Sequence, residues 1–143
     1  MNANDARITL LFTAVDGSTT QDDSPNESGG VARDFYDLRM TAEAGAAVGD
    51  SSANYTLTIT AFNVSKGVAE PLLNPVGSPF KEEFDTNDNW KPVGVDFVKE
   101  QKYDITIDKA VPRGDVYQYT ALLEADNAEQ ISIIQSALFV LVA

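Results

Sequence analysis

Residues 55–61 read Tyr55-Thr56-Leu57-Thr58-Ile59-Thr60-Ala61, a strict alternation of apolar and threonine side chains. On an extended chain Tyr55, Leu57, Ile59 and Ala61 share one face and the threonines share the other. A helix would scatter the same apolar residues around its circumference and crowd the β-branched side chains against the preceding turn. Threonine on the outer face suits an antiparallel sheet that is packed on one side and wetted on the other. The stretch predicts a strand over 54–63.

The same period recurs on both sides of it. Upstream, the β-branched and aromatic run at 7–15 closes on Asp16-Gly17. At 34–43, Tyr36, Leu38, Met40 and Ala42 alternate with Asp37, Arg39 and Thr41, which predicts a strand with one wet face. Downstream, Tyr103, Ile105 and Ile107 share a face over 102–109. Tyr117, Tyr119, Ala121, Leu123 and Ala125 do so over 115–125. A last strand is expected over 131–142. The predicted core is Leu10, Phe12, Leu38, Met40, Leu57, Ile59, Ile105, Ile107, Tyr119, Leu123 and Phe139.

Between these strands lie two weakly patterned segments. Residues 16–32 are rich in Gly, Ser, Asp and Asn and predict a flexible polar loop. Residues 64–100 carry Pro71, Pro75, Pro79 and Pro92 and predict an irregular insertion with short extended pieces. At 143 residues, the whole chain 1–143 reads as one domain able to bury roughly two thirds of its unfolded surface. Six strands punctuated by turns, with no sustained helical period, make it all-β: a two-sheet antiparallel β-sandwich or a barrel.

The segment from Tyr103 to Ala125 narrows the choice. An alternating strand is followed by Pro112-Arg113-Gly114-Asp115 and then Tyr117-Gln118-Tyr119-Thr120-Ala121. This resembles the corner between the fifth and sixth strands of immunoglobulin-like domains. The resemblance implies an immunoglobulin-like sandwich, with a jelly roll as the alternative. It also implies that Tyr117 folds back to hydrogen-bond the backbone of the corner. Tyr119 would stand where antibody domains carry their second cysteine. The chain departs from the family in having no disulfide, and its one Trp, Trp90, falls in the irregular insertion rather than on the third strand.

Composition excludes more than it assigns. The chain contains neither Cys nor His, which removes thiol nucleophiles, Cys/His zinc sites and His-based triads. With 22 acidic and 10 basic side chains the formal charge is −12, and the basic residues are dispersed. That field opposes phosphate backbones, so no nucleic-acid partner is expected. The longest apolar run, 137–143, is too short to cross a bilayer, and no membrane insertion is expected. The polar start Met1-Asn2-Ala3-Asn4-Asp5 has no signal-peptide pattern. No phosphate-binding loop, dinucleotide fingerprint or nucleophile elbow occurs, and neither an enzyme nor a bound cofactor is expected.

Three features remain as functional candidates. Asp85, Asn87 and Asn89, with Asp96 eleven residues after Asp85, partly follow the oxygen-ligand spacing of a calcium-binding EF-hand loop. Trp90 takes the sixth position, where a Gly is needed, so a simple polar turn is the competing account. Trp90 itself, beside Asn89 and Asp88, is a candidate glycan contact by ring stacking, or alternatively a plug over the end of the sandwich. The ending Leu138-Phe139-Val140-Leu141-Val142 is apolar on both faces and is the expected contact with other protein subunits, the competing account being that Phe80, Phe84 or Phe97 of the 64–100 insertion folds over the same face. These features predict a non-enzymatic structural subunit, such as a capsid-decorating or minor capsid protein in a virion. The alternative is an extracellular or cell-surface module binding carbohydrate or calcium.

Overall fold

A computed structural model describes residues 5–45, 55–75, 80–84, 90–125 and 131–143, with only the backbone path for 80–84 and 125. Its twelve strands in chain order are β1 (Ala6–Ala14), β2 (Glu27–Ser28), β3 (Val31–Ala32), β4 (Phe35–Ala44), β5 (Tyr55–Asn63) and β6 (Val68–Ala69). A 3-10 turn, Pro71–Leu73, follows, and then come β7 (Phe80–Phe84), β8 (Lys91–Val93), β9 (Asp96–Thr106), β10 (Val116–Ala125), β11 (Ile131–Gln135) and β12 (Phe139–Val140).

The alternation at 55–61 folds as read. Tyr55, Leu57, Ile59 and Ala61 are buried, and Thr56, Thr58 and Thr60 stand on the outer face. β5 runs antiparallel to β10 along its whole length, from Tyr55↔Ala125 to Asn63↔Tyr117. One sheet has the order β1-β4-β9-β8. The other has the order β11-β10-β5-β6, with β12 also on β10 and β7 also on β5. Every pairing is antiparallel, and the two sheets face each other across a shared apolar core, making a β-sandwich.

At the centre of that core are four aromatic rings. Phe139 stacks on Tyr119 at 5.4 Å and lies 5.8 Å from Tyr36 and 5.9 Å from Tyr117. The buried hydroxyls are satisfied in series. Tyr119 donates to Leu73 O at 2.7 Å, so Tyr36, whose oxygen is 2.6 Å away, donates to Tyr119. The series ties β4 of one sheet to β10 of the other and anchors the 3-10 turn. Tyr117 donates to Pro112 O at 2.5 Å, the fold-back anticipated at this corner.

Four expectations are corrected. Leu10 and Phe12 are not core residues: Leu10 is 52% exposed and Phe12 only half-buried. The ladder between β1 and β4 shifts from Ile8↔Ala42 to Leu10↔Thr41, leaving Thr9 as an extra residue. Such a bulge reverses the faces beyond it, so Ile8 before it and Leu11 and Thr13 after it point inward instead. The last strand is likewise broken. Gln135 pairs with Thr120, but Phe139 pairs with Tyr117, so one extra residue is accommodated around Ala137 and Leu138. The fourth long strand begins at Asp96, well before 102. Residues 96–100 pair with β4 and β8 rather than belonging to an irregular insertion.

The segment 16–32 is not free either. Asp22 N–H donates to Thr13 O, and the Thr13 hydroxyl donates back to Asp22 O. Asn26 is buried, and its side chain acts as a short piece of β-ladder. It donates to Val142 O at 2.9 Å and accepts from Val142 N–H at 2.9 Å. The loop is therefore fastened along the carboxyl-terminal residues. A polar residue that supplies both halves of a backbone pairing cannot be recognised by hydrophobic period.

Candidate functional site

The structure redistributes the candidates read from sequence. Trp90 is 7% exposed and belongs to the core just ahead of β8, so its ring offers no open face to a sugar. Asp85, Asn87 and Asn89 lie outside the described residues. Asp96, the remaining member of that set, pairs with Val93 in the β8–β9 hairpin, whose turn needs the positive φ of Gly94 (64°). Asn26 and Asn63, each of which opens an Asn-x-Ser triplet of the kind that accepts glycans, are buried and hydrogen-bonded. Neither is open to glycan attachment.

The carboxyl-terminal contact is corrected in place. Phe139 and Leu141 point into the core, at 1% and 0% exposure, and are used by the protein's own packing. Val140 N–H donates to Asp23 O, while Gly114 N–H donates to Leu141 O and Arg113 donates to Val142 O. Only Leu138, on the bulge, is substantially exposed. Val140 and Val142, on the opposite parity, are half-buried and hydrogen-bonded to Asp23 and Asn26, so both faces of this stretch meet the protein's own residues.

Exposed apolar surface is found instead on β11. Ile131 and Ile133 are 61% and 65% exposed, on the outer face beside Glu124 and Leu122 of β10. Among the described residues β11 pairs with β10, and its other side packs against β1, where Ile8 N–H donates to Ser132 Oγ at 3.1 Å. Exposed Leu10 lies on that neighbouring strand. No charged side chain occurs from Ile131 to Ala143. An edge of this kind lacks the Lys, Pro or inward charge that usually blocks pairing with another chain. Alternation in Ile131-Ser132-Ile133 signals a strand, but it does not say which face is wet.

A second cluster joins residues distant in sequence. Asp16 sits in the turn after β1, Asp37 on β4 and Asp104 on β9, and one oxygen from each lies within 4.8 Å of the others. Asp37 and Asp104 are direct cross-strand partners. Asp37, expected on a wet face, is completely buried because the turn at Val15–Ser18 folds over it. Gly17 (φ 80°) donates its N–H to Asp37 Oδ2 at 2.8 Å, and Arg39 Nε donates to Ser18 O at 2.7 Å. Burial raises the Asp37 carboxyl above the ordinary range, with Asp16 and Asp104 adding to the rise. The Gly17 N–H and Lys102 oppose it.

The remaining shifted groups are tyrosines. Burial pushes the Tyr117 hydroxyl up to about 12, and raises Tyr36 and Tyr119 well above the usual phenol value. At neutral pH these hydroxyls stay protonated and act as structural donors.

No protein-family model matches the chain, and no curated protein matches it in sequence. Among solved structures, the CooA pilin subunit from enterotoxigenic Escherichia coli is similar at 18% identity and a TM-score of 0.41, over 92% of this chain and 97% of that one. Likeness at this level assigns no function.

Proposed function

We propose that this protein is a non-catalytic structural subunit that associates with further copies of itself through the edge formed by β11 and β1. The observation that carries the reading is the exposure of Ile131 and Ile133 on a strand with no charged guard. With a net charge of −12, most of the surface repels a second copy. The uncharged stretch from Ile131 to the end is where that repulsion is least. In a two-fold contact each isoleucine is buried twice. At ~1.5–3 kcal/mol per side chain the gain is on the order of 6–12 kcal/mol, before an association cost of roughly 4–15 kcal/mol. Such a contact is weak in dilute solution and becomes effective at the high local concentration of a lattice.

The fold is read as the immunoglobulin-like form of the sandwich. The order β1-β4-β9-β8 opposite β11-β10-β5 corresponds to strands A-B-E-D and G-F-C of that arrangement, and the Tyr117–Pro112 bond to its tyrosine corner. Both support it over the jelly roll. A catalytic role has little chemistry to draw on, since His and Cys are absent and the buried tyrosines resist ionisation. The assembly is proposed to work outside the cytoplasm, on a virion or a cell surface. On a virion its role is that of a capsid-decorating or minor capsid subunit.

Sedimentation velocity over a concentration series tests it. The wild type is expected to self-associate toward millimolar concentration, and Ile131→Lys/Ile133→Lys to remain monomeric and folded. A wild type that stays monomeric throughout, or a variant that associates equally, overturns the reading.

A further inference from the structure

We propose that Asp16, Asp37 and Asp104 form a binding site for a calcium ion at the turn-covered end of the first sheet. This site is independent of the β11 edge and of the 85–96 segment. Three chain segments each deliver one carboxylate, and their oxygens lie within 4.8 Å of one another. Oxygens no farther apart than this can share one ion at a Ca–O distance of about 2.4 Å. Carboxylates held on three separate segments suit the adaptable coordination of calcium, whereas magnesium demands a near-ideal octahedron at about 2.0–2.1 Å and gives up its waters reluctantly.

The second observation is the state of Asp37. Its side chain is fully buried, and Oδ1 has no hydrogen-bond partner. Buried carboxylate oxygens are normally paired, protonated or coordinated to a metal. Its Oδ2 is occupied, accepting from Gly17 N–H and lying 3.9 Å from Arg39 Nη2. The nearby cations do not serve Oδ1. Arg39 is committed to Ser18 O and the Oδ2 side, and Lys102 Nζ lies 3.4 Å from Asp104 Oδ1. With both counted, three carboxylates and two cations leave one excess negative charge.

The cross-strand register adds to the argument. Asp37 directly opposite Asp104 sets two carboxylates side by side, an arrangement that destabilises a sheet unless something between them offsets the repulsion. Asp16, brought in by the Gly17 turn, adds a third rather than relieving it. A hard divalent cation offsets all three and takes up Oδ1. Asp16 and Asp104 are exposed, so the remaining coordination positions are open to water. Three carboxylates with a solvent-filled outer half belong with weak extracellular-type sites, of Kd roughly 10⁻⁴–10⁻³ M.

The test is calorimetric titration of the full chain with calcium chloride at constant ionic strength, with magnesium chloride as comparison. Thermal unfolding is measured in parallel with and without 10 mM calcium. One site of Kd ~0.1–1 mM is expected, with a rise in Tm of roughly 4–10 °C. Asp16→Asn and Asp104→Asn change exposed side chains and are expected to weaken binding at least ~10-fold. They decide the matter even if Asp37→Asn fails to fold. Absence of both heat and a Tm shift in the wild type overturns the site. So does undiminished binding in the Asp16 and Asp104 variants, which would put the ion on other acids. Equal affinity for magnesium overturns the assignment to calcium.

Discussion

Removing one oxygen from Tyr119 exposes how the core's polar groups depend on one another. In the native protein Tyr36 donates to Tyr119, and Tyr119 donates to Leu73 O, with both rings fully buried. Tyr119→Phe therefore strands two partners at once, the Tyr36 hydroxyl and the Leu73 carbonyl. A buried polar group left unpaired costs about 1–3 kcal/mol, so the pair costs ~2–6 kcal/mol. For a chain of this size, at roughly 2–4 °C per kcal/mol, Tm falls by ~4–24 °C. Tyr36→Phe leaves the Tyr119–Leu73 bond intact and forfeits one hydrogen bond, about 0.5–1.5 kcal/mol. The double variant strands only Leu73 O and is expected to be no less stable than Tyr119→Phe alone. Urea unfolding followed by the fluorescence of buried Trp90 gives all three values. Equal costs for the two single variants, or strict additivity in the double, would refute the serial arrangement.

Other predictions follow from single features. Leu11→Ala is expected to cost ~2–4 kcal/mol and Leu10→Ala less than ~0.5 kcal/mol, because the Thr9 bulge turns one inward and the other outward. Chemical denaturation of the two would reverse in order if the bulge were absent. Asn26→Ala removes the bonds to Val142 and Arg33. Hydrogen exchange should then accelerate at Val140 and Val142 by roughly 10-fold or more while the β5–β10 ladder stays protected. Tyr36, Tyr117 and Tyr119 have folded pKa values raised above an unfolded value near 10. The unfolded chain therefore loses these protons first. Their contribution to stability is constant below about pH 10 and declines as pH rises beyond it. The urea midpoint should fall between pH 9 and pH 11, and an unchanged midpoint would contradict the burial of these hydroxyls.

How far the sequence can be read follows from the range over which each signal acts. Strand existence and inward faces were legible at β4, β5 and β10, where a strict two-residue period runs without interruption. Tyr117 could be placed because its corner has a local pattern. The misassigned faces on β1 follow from an added residue, since Thr9 reverses Leu10 and Phe12. The bulge at Ala137–Leu138 divides the expected last strand into β11 and β12, while Phe139 lies in the core as expected. A bulge leaves no reliable mark on composition, and alternation alone cannot count it. The start of β9 was missed because Asp96, Lys99 and Glu100 dilute its apolar pattern.

The site was harder still. Asp16, Asp37 and Asp104 are brought together by strand register and by one glycine turn, neither of which is expressed as spacing along the chain. Asp37 looked like a wet-face residue because its parity is outward, and only the overlying turn buries it. Trp90 misled for the opposite reason: its polar neighbours suggested exposure, while its own ring fills the core.

The measurement that bears most directly on the central claim is amide hydrogen exchange at low and high protein concentration, read peptide by peptide. If copies associate along the β11–β1 edge, protection at residues 131–135 and 7–12 rises with concentration while the β8–β9 hairpin is unchanged. If protection at 131–135 is the same at micromolar and near-millimolar concentration, this edge is not the contact and the proposed assembly is wrong.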